Sequence, residues 1–161
     1  MLKNVKNTSK GTKLILFASF IIVALLVLTP TLFFDLPQGV IAIWGVEAIF
    51  GGTAREAYKI TTSFSWRLYI NCLLILLAGF TTYYIAPRAR GYYIFGAILF
   101  ALTTIFTAAS QAWLVGVSIA SSNPSVLGAA CYWGIGPVFG AILSLVAAIT
   151  CIIEYKTFKL R

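Results

Sequence analysis

The chain has 161 residues, of which 60% are hydrophobic and only 10% are charged. Soluble domains carry about 25% charged residues, so this composition excludes that class and indicates an integral membrane protein. The formal net charge of +8 is also compatible with nucleic-acid binding. The basic residues, however, flank the apolar runs instead of forming one patch, so we expect no nucleic-acid partner.

Four apolar runs are long enough to cross a bilayer, which takes roughly 17–25 residues. They cover residues 13–34, 68–86, 92–120 and 127–153. Lipid offers no hydrogen-bond partner to an open strand edge, so each run is predicted to be a helix. The expected fold is an all-α integral membrane protein, in which residues 1–161 form a single four-transmembrane-helix bundle.

The basic residues indicate how this bundle is oriented. Nine of the twelve lie in three short segments that flank alternate ends of the predicted helices. The positive-inside rule places these segments in the cytoplasm, where they also attract anionic lipid headgroups. Both termini are therefore predicted to be cytoplasmic, residues 35–67 form one sizeable outer loop, and a plasma or cytoplasmic membrane is the expected location. The nine residues are Lys3, Lys6, Lys10, Lys13, Arg88, Arg90, Lys156, Lys159 and Arg161.

The first run ends near Pro30, where a proline either terminates or kinks a helix. In the outer loop that follows, residues 40–50 are too few to span a membrane and too apolar for a free loop. An interfacial or re-entrant segment on the outer face of the bundle is the structure that this length and composition favour. Trp44, Phe50 and Arg55 are the residues of this loop that we expect to contact a partner.

Small residues recur every four positions in each of the last two runs. In lipid, helices associate through close backbone approach, which small side chains permit, so each line predicts a packing seam. Two seams exceed what the contact between these two helices requires, so one of them is expected to face a partner chain. The first line is Thr104, Ala108, Ala112, Gly116 and Ala120, and the second is Gly136, Gly140, Ser144 and Ala148.

Ionisable side chains do not occur deep within any of the four runs. All four acidic residues lie in loops or tails, and the chain has no histidine. Ion-coupled transporters usually carry intramembrane charges, and acid–base catalysis uses histidine or a perturbed carboxylate. The three cysteines match no metal-binding spacing. We therefore expect that the protein is not an enzyme and has no catalytic residue, metal ion or cofactor.

Two polar residues, Asn71 and Gln111, fall in the outer half of predicted spans. They are expected either to hydrogen-bond to each other, which is worth about 1 kcal/mol in lipid, or to contact a ligand. The same level holds aromatic residues and a Gly-Ile-Gly-Pro stretch that is expected to loosen the fourth helix. These residues are either interface anchors or the wall of a pocket for a lipid or quinone. They are Trp113, Tyr132, Trp133 and Pro137.

The layout of the chain resembles the claudin and peripheral-myelin-protein group of tetraspan proteins, with one large outer loop, a tight inner turn and a small second outer loop. The last two runs add a similar order of residues, namely Phe100, Trp113, Asn123-Pro124, Gly128-Ala129 and Tyr132. The first outer loop departs from the family. Ile43-Trp44-Gly45 is the nearest match to its Gly-Leu-Trp motif, and the two cysteines of the family's longer, strand-forming loop are missing. No functional residue is therefore transferred.

These features predict two alternative functions. The first is a non-enzymatic structural, assembly or accessory subunit that docks to other membrane proteins, as a hetero- or homo-oligomer, through its seams and its apolar outer loop. The second is binding or transport of an apolar small molecule, a lipid or a quinone, in an outer-leaflet cavity near Asn71, Gln111 and Trp133.

Overall fold

The computed structural model describes residues 9–37, 39–55, 60–114, 119–121 and 129–158. Within these ranges the helices are α1 (Lys10–Leu28), α2 (Gly45–Phe50), α3 (Trp66–Tyr84), α4 (Gly91–Ala108), α5 (Ser110–Trp113) and α6 (Ile135–Thr157). The strands are β1 (Pro30–Leu36), β2 (Gly39–Trp44), β3 (Gly52–Arg55), β4 (Ile60–Thr62), β5 (Ile119–Ser121) and β6 (Ala130–Trp133).

Four of these helices, α1, α3, α4 and α6, are long and apolar enough to cross a membrane. They have 18 to 23 residues, and their mean hydropathy lies between 1.2 and 2.5. Their outward sides carry large apolar residues such as Phe17, Ile98 and Ile142, each about half exposed. By length and composition, the chain is thus a multi-pass membrane protein built on four helices, as the sequence predicts.

The strands form two antiparallel sheets at one end of the helices, which we call the sheet end. The first sheet has the order β2-β1-β6 and the second the order β3-β4-β5. Each sheet therefore takes two strands from the segment between α1 and α3 and one from the segment between α5 and α6. In the first sheet Phe34 lies opposite Cys131 and Phe33 opposite Tyr132. The two connecting segments are in this way joined by backbone hydrogen bonds.

The predicted helical bundle is present as four long helices, and the sheets correct the predicted span bounds at this end. The run at 13–34 divides between α1, which ends at Leu28, and β1. The run at 92–120 contains α4, α5 and β5, and α6 begins at Ile135 although the predicted span begins at residue 127. A buried strand and a membrane helix are both continuously apolar, so hydropathy alone does not separate them. Pro30 ends the first helix and does not kink it.

The apolar segment at 40–50 divides between a strand and a short helix. Its first half is strand β2, which pairs along β1 from Gly39 to Trp44. Its second half is the short helix α2, which buries Gly45, Ala48 and Ile49. A Cβ atom at Gly45 would collide with the backbone of Leu26 near the end of α1. Close packing of α2 against α1 thus accounts for apolar residues in this part of the loop.

The opposite end of the bundle, which we call the terminal end, carries both ends of the described chain. Ser9 caps α1 by accepting a hydrogen bond from the Thr12 amide, and its hydroxyl donates to Glu154 of α6 at 2.7 Å. Thr12 and Tyr93 share a buried hydrogen bond of 2.9 Å between α1 and α4. The Nε of Arg90 donates to the carbonyl of Tyr155, so the α3–α4 turn also binds the last turn of α6.

Candidate functional site

The polar residues predicted in the spans lie at the sheet end, but they do not bond to each other. Asn71 of α3 is 1% exposed, and its side-chain amide donates to Thr107 of α4 at 2.9 Å. Its oxygen, Oδ1, has no hydrogen-bond partner among the residues that the structure describes. Asn71 therefore fastens α3 to α4, with Thr107 as its partner in place of the expected Gln111.

Gln111 of α5 joins the bundle to the first sheet. Its side-chain amide donates to the backbone carbonyl of Cys131 at 2.7 Å. Cys131 lies in β6 opposite Phe34 of β1, so this carbonyl belongs to the edge strand of the sheet. Within the described sheet, β6 has no neighbouring strand on its outer side. The Gln111 side chain therefore supplies the hydrogen bond that the Cys131 carbonyl would otherwise lack. Gln111 is thus a link between α5 and β6.

A cavity of about 10 Å³ lies between the ends of the helices and the sheets. Its walls come from all parts of the sheet end, including α1, β1, α3 and α5. Binding pockets for small molecules are usually about 300–1,000 Å³, so this cavity is too small to enclose a lipid or a quinone. The lining residues are Leu26, Thr31, Ile49, Leu68, Cys72, Ser110 and Pro137.

Of the residues predicted to line a pocket, only Pro137 belongs to this cavity. Tyr132 and Trp133 are 55% and 48% exposed on β6, and the Trp113 side chain lies outside the described part. Pro137 is the third residue of α6, where the backbone amide would have no helical partner in any case. The expectation that this stretch loosens the fourth helix is therefore wrong. The helix begins within the Gly-Ile-Gly-Pro stretch, at Ile135.

The two lines of small residues have different surroundings. The second line is buried throughout, and a Cβ atom at Gly140 would lie 3.1 Å from Leu26 Cδ2 and 3.6 Å from Thr107 Cγ2. This line therefore packs α6 between α1 and α4. Thr104 and Ala108 of the first line are half buried, and Ala112 is exposed beyond the end of α4. Gly116 lies outside the described residues, and Ala120 is in β5.

The face of α4 that packs in the bundle is therefore not the predicted line. It carries Gly96, Phe100, Thr103 and Thr107, all buried. These residues recur with alternating spacings of four and three, as an α-helix of 3.6 residues per turn requires for one face. The predicted line begins at Thr104, which lies beside this face, and the chain leaves the helix after Ala108. Within the described residues, the line from Thr104 is interrupted at Ala109, between Ala108 and Ala112.

The predicted outer-loop contacts lie near an aromatic surface that the sequence did not reveal. Trp44 and Phe50 are 44% and 56% exposed, while the Arg55 side chain lies outside the described part. The Phe50 ring contacts that of Tyr69 at a centroid distance of 6.4 Å, and Phe64 contacts Tyr69 at 5.9 Å. We call Phe50, Phe64 and Tyr69 the aromatic patch. It combines α2, the segment before α3, and α3 itself.

The chemistry of the described residues is limited. Within the described ranges, no three histidine, cysteine, aspartate or glutamate side chains are placed to hold a metal ion. Cys72, Cys131 and Cys151 are all free thiols. Burial raises the pKa of the Cys131 thiol above its usual value, and the side chain of Gln111 opposes this shift. At neutral pH the thiol of Cys131 is therefore protonated and a weak nucleophile.

Comparison of the chain with protein-family models, with curated proteins and with solved structures finds no match.

The raised pKa of Cys131 predicts slow alkylation of the folded protein. Below the pKa, each unit of pH increases the thiolate fraction about tenfold, so the labelling rate should rise steeply between about pH 7 and pH 9. At each of these pH values, Cys131 should react more slowly than the same residue in the protein unfolded in detergent. Peptide mass spectrometry after timed labelling measures both rates, and equal rates in the two states would contradict the prediction.

Proposed function

We propose that the protein is a non-enzymatic accessory or structural subunit that docks to another membrane protein through its sheet end. The observation that carries this proposal is the aromatic patch. Phe50, Phe64 and Tyr69 are 56%, 54% and 40% exposed, and the rings of Phe50 and Phe64 each contact that of Tyr69. Contiguous exposed aromatic surface is typical of protein interfaces, where buried aromatic side chains supply much of the binding energy.

The patch is also held rigidly, which favours a role in binding. Phe50 is the last residue of α2, and the following Gly51 amide donates to the carbonyl of Glu47 at 2.9 Å. The Ser65 amide donates to the carbonyl of Ile49 at 2.9 Å, so α2 is tied to the start of α3. Because these side chains project from fixed backbone, a partner would lose little conformational entropy by binding them.

The membrane-spanning helices themselves support a packing role over a chemical one. The second small-residue line is used within the bundle, between α1 and α4, and does not remain for a partner. The cavity at the sheet end has no room for a lipid or quinone, so it does not support the alternative function. Lipid remains the surrounding partner of the outward apolar side chains.

We further propose that the terminal end is cytoplasmic and that the sheet end lies outside, in a plasma or cytoplasmic membrane. The three basic segments support this orientation through the positive-inside rule. The strands between α1 and α3 add to the resemblance with the claudin and peripheral-myelin-protein group, whose first outer loop also forms strands. The chain lacks the family's two cysteines and its Gly-Leu-Trp motif. The proposal therefore covers the orientation and the strand-forming outer segment, and it does not extend to the family's activity.

Docking through the aromatic patch predicts a partner that depends on it. The tagged full-length chain and a Phe50→Ser, Phe64→Ser variant are purified in mild detergent, and co-purifying membrane proteins are quantified by mass spectrometry. At least one protein should be reduced about tenfold or more in the variant, the effect of losing about 1.4 kcal/mol of binding free energy.

Tyr132→Ser is the matched control for this experiment. Tyr132 is an equally exposed aromatic residue, on strand β6 at the edge of the first sheet opposite to β2. The control should retain the partner that the patch variant loses. A monodisperse monomer without co-purifying protein, or equal loss in both variants, would contradict docking through the patch.

The proposed orientation predicts the sides on which two engineered cysteines react. In a Cys131→Ser background, Val40→Cys places a thiol at the sheet end, and Thr157→Cys places one at the terminal end, both at exposed positions. A membrane-impermeant thiol reagent added to intact cells should label position 40 but label position 157 only after permeabilisation. The reverse pattern would show that the positive-inside assignment is wrong for this chain.

A further inference from the structure

Two buried residues that carry hydroxyl groups line the same small cavity at the sheet end. Thr31 is 2% exposed and Ser110 is 1% exposed, and both line the cavity of about 10 Å³. Neither hydroxyl has a hydrogen-bond partner in the described part of the chain. Because a buried polar group without a partner costs free energy, two such groups at one cavity require an explanation.

Both hydroxyls lie where the regular backbone is interrupted. The pairing of β1 with β2 changes register between Pro30 and Leu32, so Thr31 has no Cα partner on β2. Ser110 begins α5 directly after the break at Ala109 that ends α4. Irregularities of this kind re-aim a side chain relative to its regular neighbours. They bring a residue of the first sheet and a residue of the helix bundle to one cavity.

The size and chemistry of the cavity select the ligand. A volume of about 10 Å³ is close to the least that holds one water molecule, and it excludes larger ligands. No carboxylate is among the lining residues, which disfavours a cation. A water molecule offers two donors and two acceptors, and a hydroxyl group can take either role.

We propose that this cavity is a binding site for a single ordered water molecule, which bridges the hydroxyl groups of Thr31 and Ser110. The thiol of Cys72, also in the cavity wall, is a weak third partner. The bridge connects β1 to α5 and so joins the first sheet to the helix bundle at a second place, besides the hydrogen bond from Gln111 to β6.

Conservative variants test whether a water molecule satisfies these groups. Thermal unfolding of the full-length protein with Cys131→Ser is followed in detergent with a thiol-reactive fluorophore, since the remaining thiols of Cys72 and Cys151 are buried until the protein unfolds. Ser110→Ala and Thr31→Val should each lower the midpoint by about 2–4 °C, because each removes a hydrogen bond to the water molecule. The double variant should unfold at a midpoint no lower than that of the less stable single variant, because all three variants lose the same water molecule.

Ser144→Ala is the matched control. Ser144 is also fully buried without a described partner, but it does not line this cavity, so its replacement should leave the midpoint unchanged or raise it. A dry cavity would make Ser110→Ala and Thr31→Val behave like the control, which would overturn the proposal. Additive losses in the double variant would also overturn it, because the hydroxyls would then act independently.

A crystal structure that resolves ordered water provides a second test that does not depend on variants. The proposal requires a water molecule within hydrogen-bond distance of both Thr31 Oγ1 and Ser110 Oγ. An empty cavity, or a water molecule bonded to only one of the two, would overturn it.

Discussion

The pairing of β1 with β6 is the contact on which the arrangement of the sheet end depends. It joins the segment after α1 to the segment before α6, with Leu32 opposite Trp133 and Phe34 opposite Cys131. The Gly134 amide continues this contact by donating to the carbonyl of Thr31 at 2.8 Å. A side chain at Gly134 would collide with the backbone of Pro30, so glycine allows α6 to begin directly beside the end of α1. The link from Gln111 to β6 and the cavity at Thr31 both follow from this placement.

The sequence predicts the membrane helices because length and apolarity together are nearly sufficient in lipid. It does not predict where α1 ends and β1 begins, since Leu32 and Phe34 are as apolar as the helix before Pro30. The line from Gly136 to Ala148 is buried as a seam should be, whereas the line from Thr104 lies beside the buried face of α4. Periodicity is informative only where the helix continues, and hydropathy does not show that α4 stops at Ala108.

The polar residues show a second limit of sequence reasoning. Asn71 and Gln111 stand out in the sequence because large amides are rare in apolar runs, and both make tertiary hydrogen bonds. Their partners, Thr107 and a backbone carbonyl, carry no signal in the sequence, because threonine is common in membrane helices and every residue has a carbonyl. Thr31 and Ser110 are not predicted for the same reason, since threonine and serine are too common in the chain to mark a site. The aromatic patch was missed because Phe50, Phe64 and Tyr69 come together only when α2 folds back against α3.

The register of β1 on β6 is tested most directly by a cross-link to a native cysteine. Residues opposite each other in antiparallel strands have Cα atoms about 4.5–5.5 Å apart, within the range that a disulfide spans. Under mild oxidation, Phe34→Cys should therefore form an intramolecular disulfide with Cys131, detected by mass spectrometry of the linked peptides. Phe33→Cys, whose side chain lies on the other face of the sheet, should not. A Phe34→Cys variant that stays reduced, or a Phe33→Cys variant that links as readily, would contradict the β1–β6 pairing.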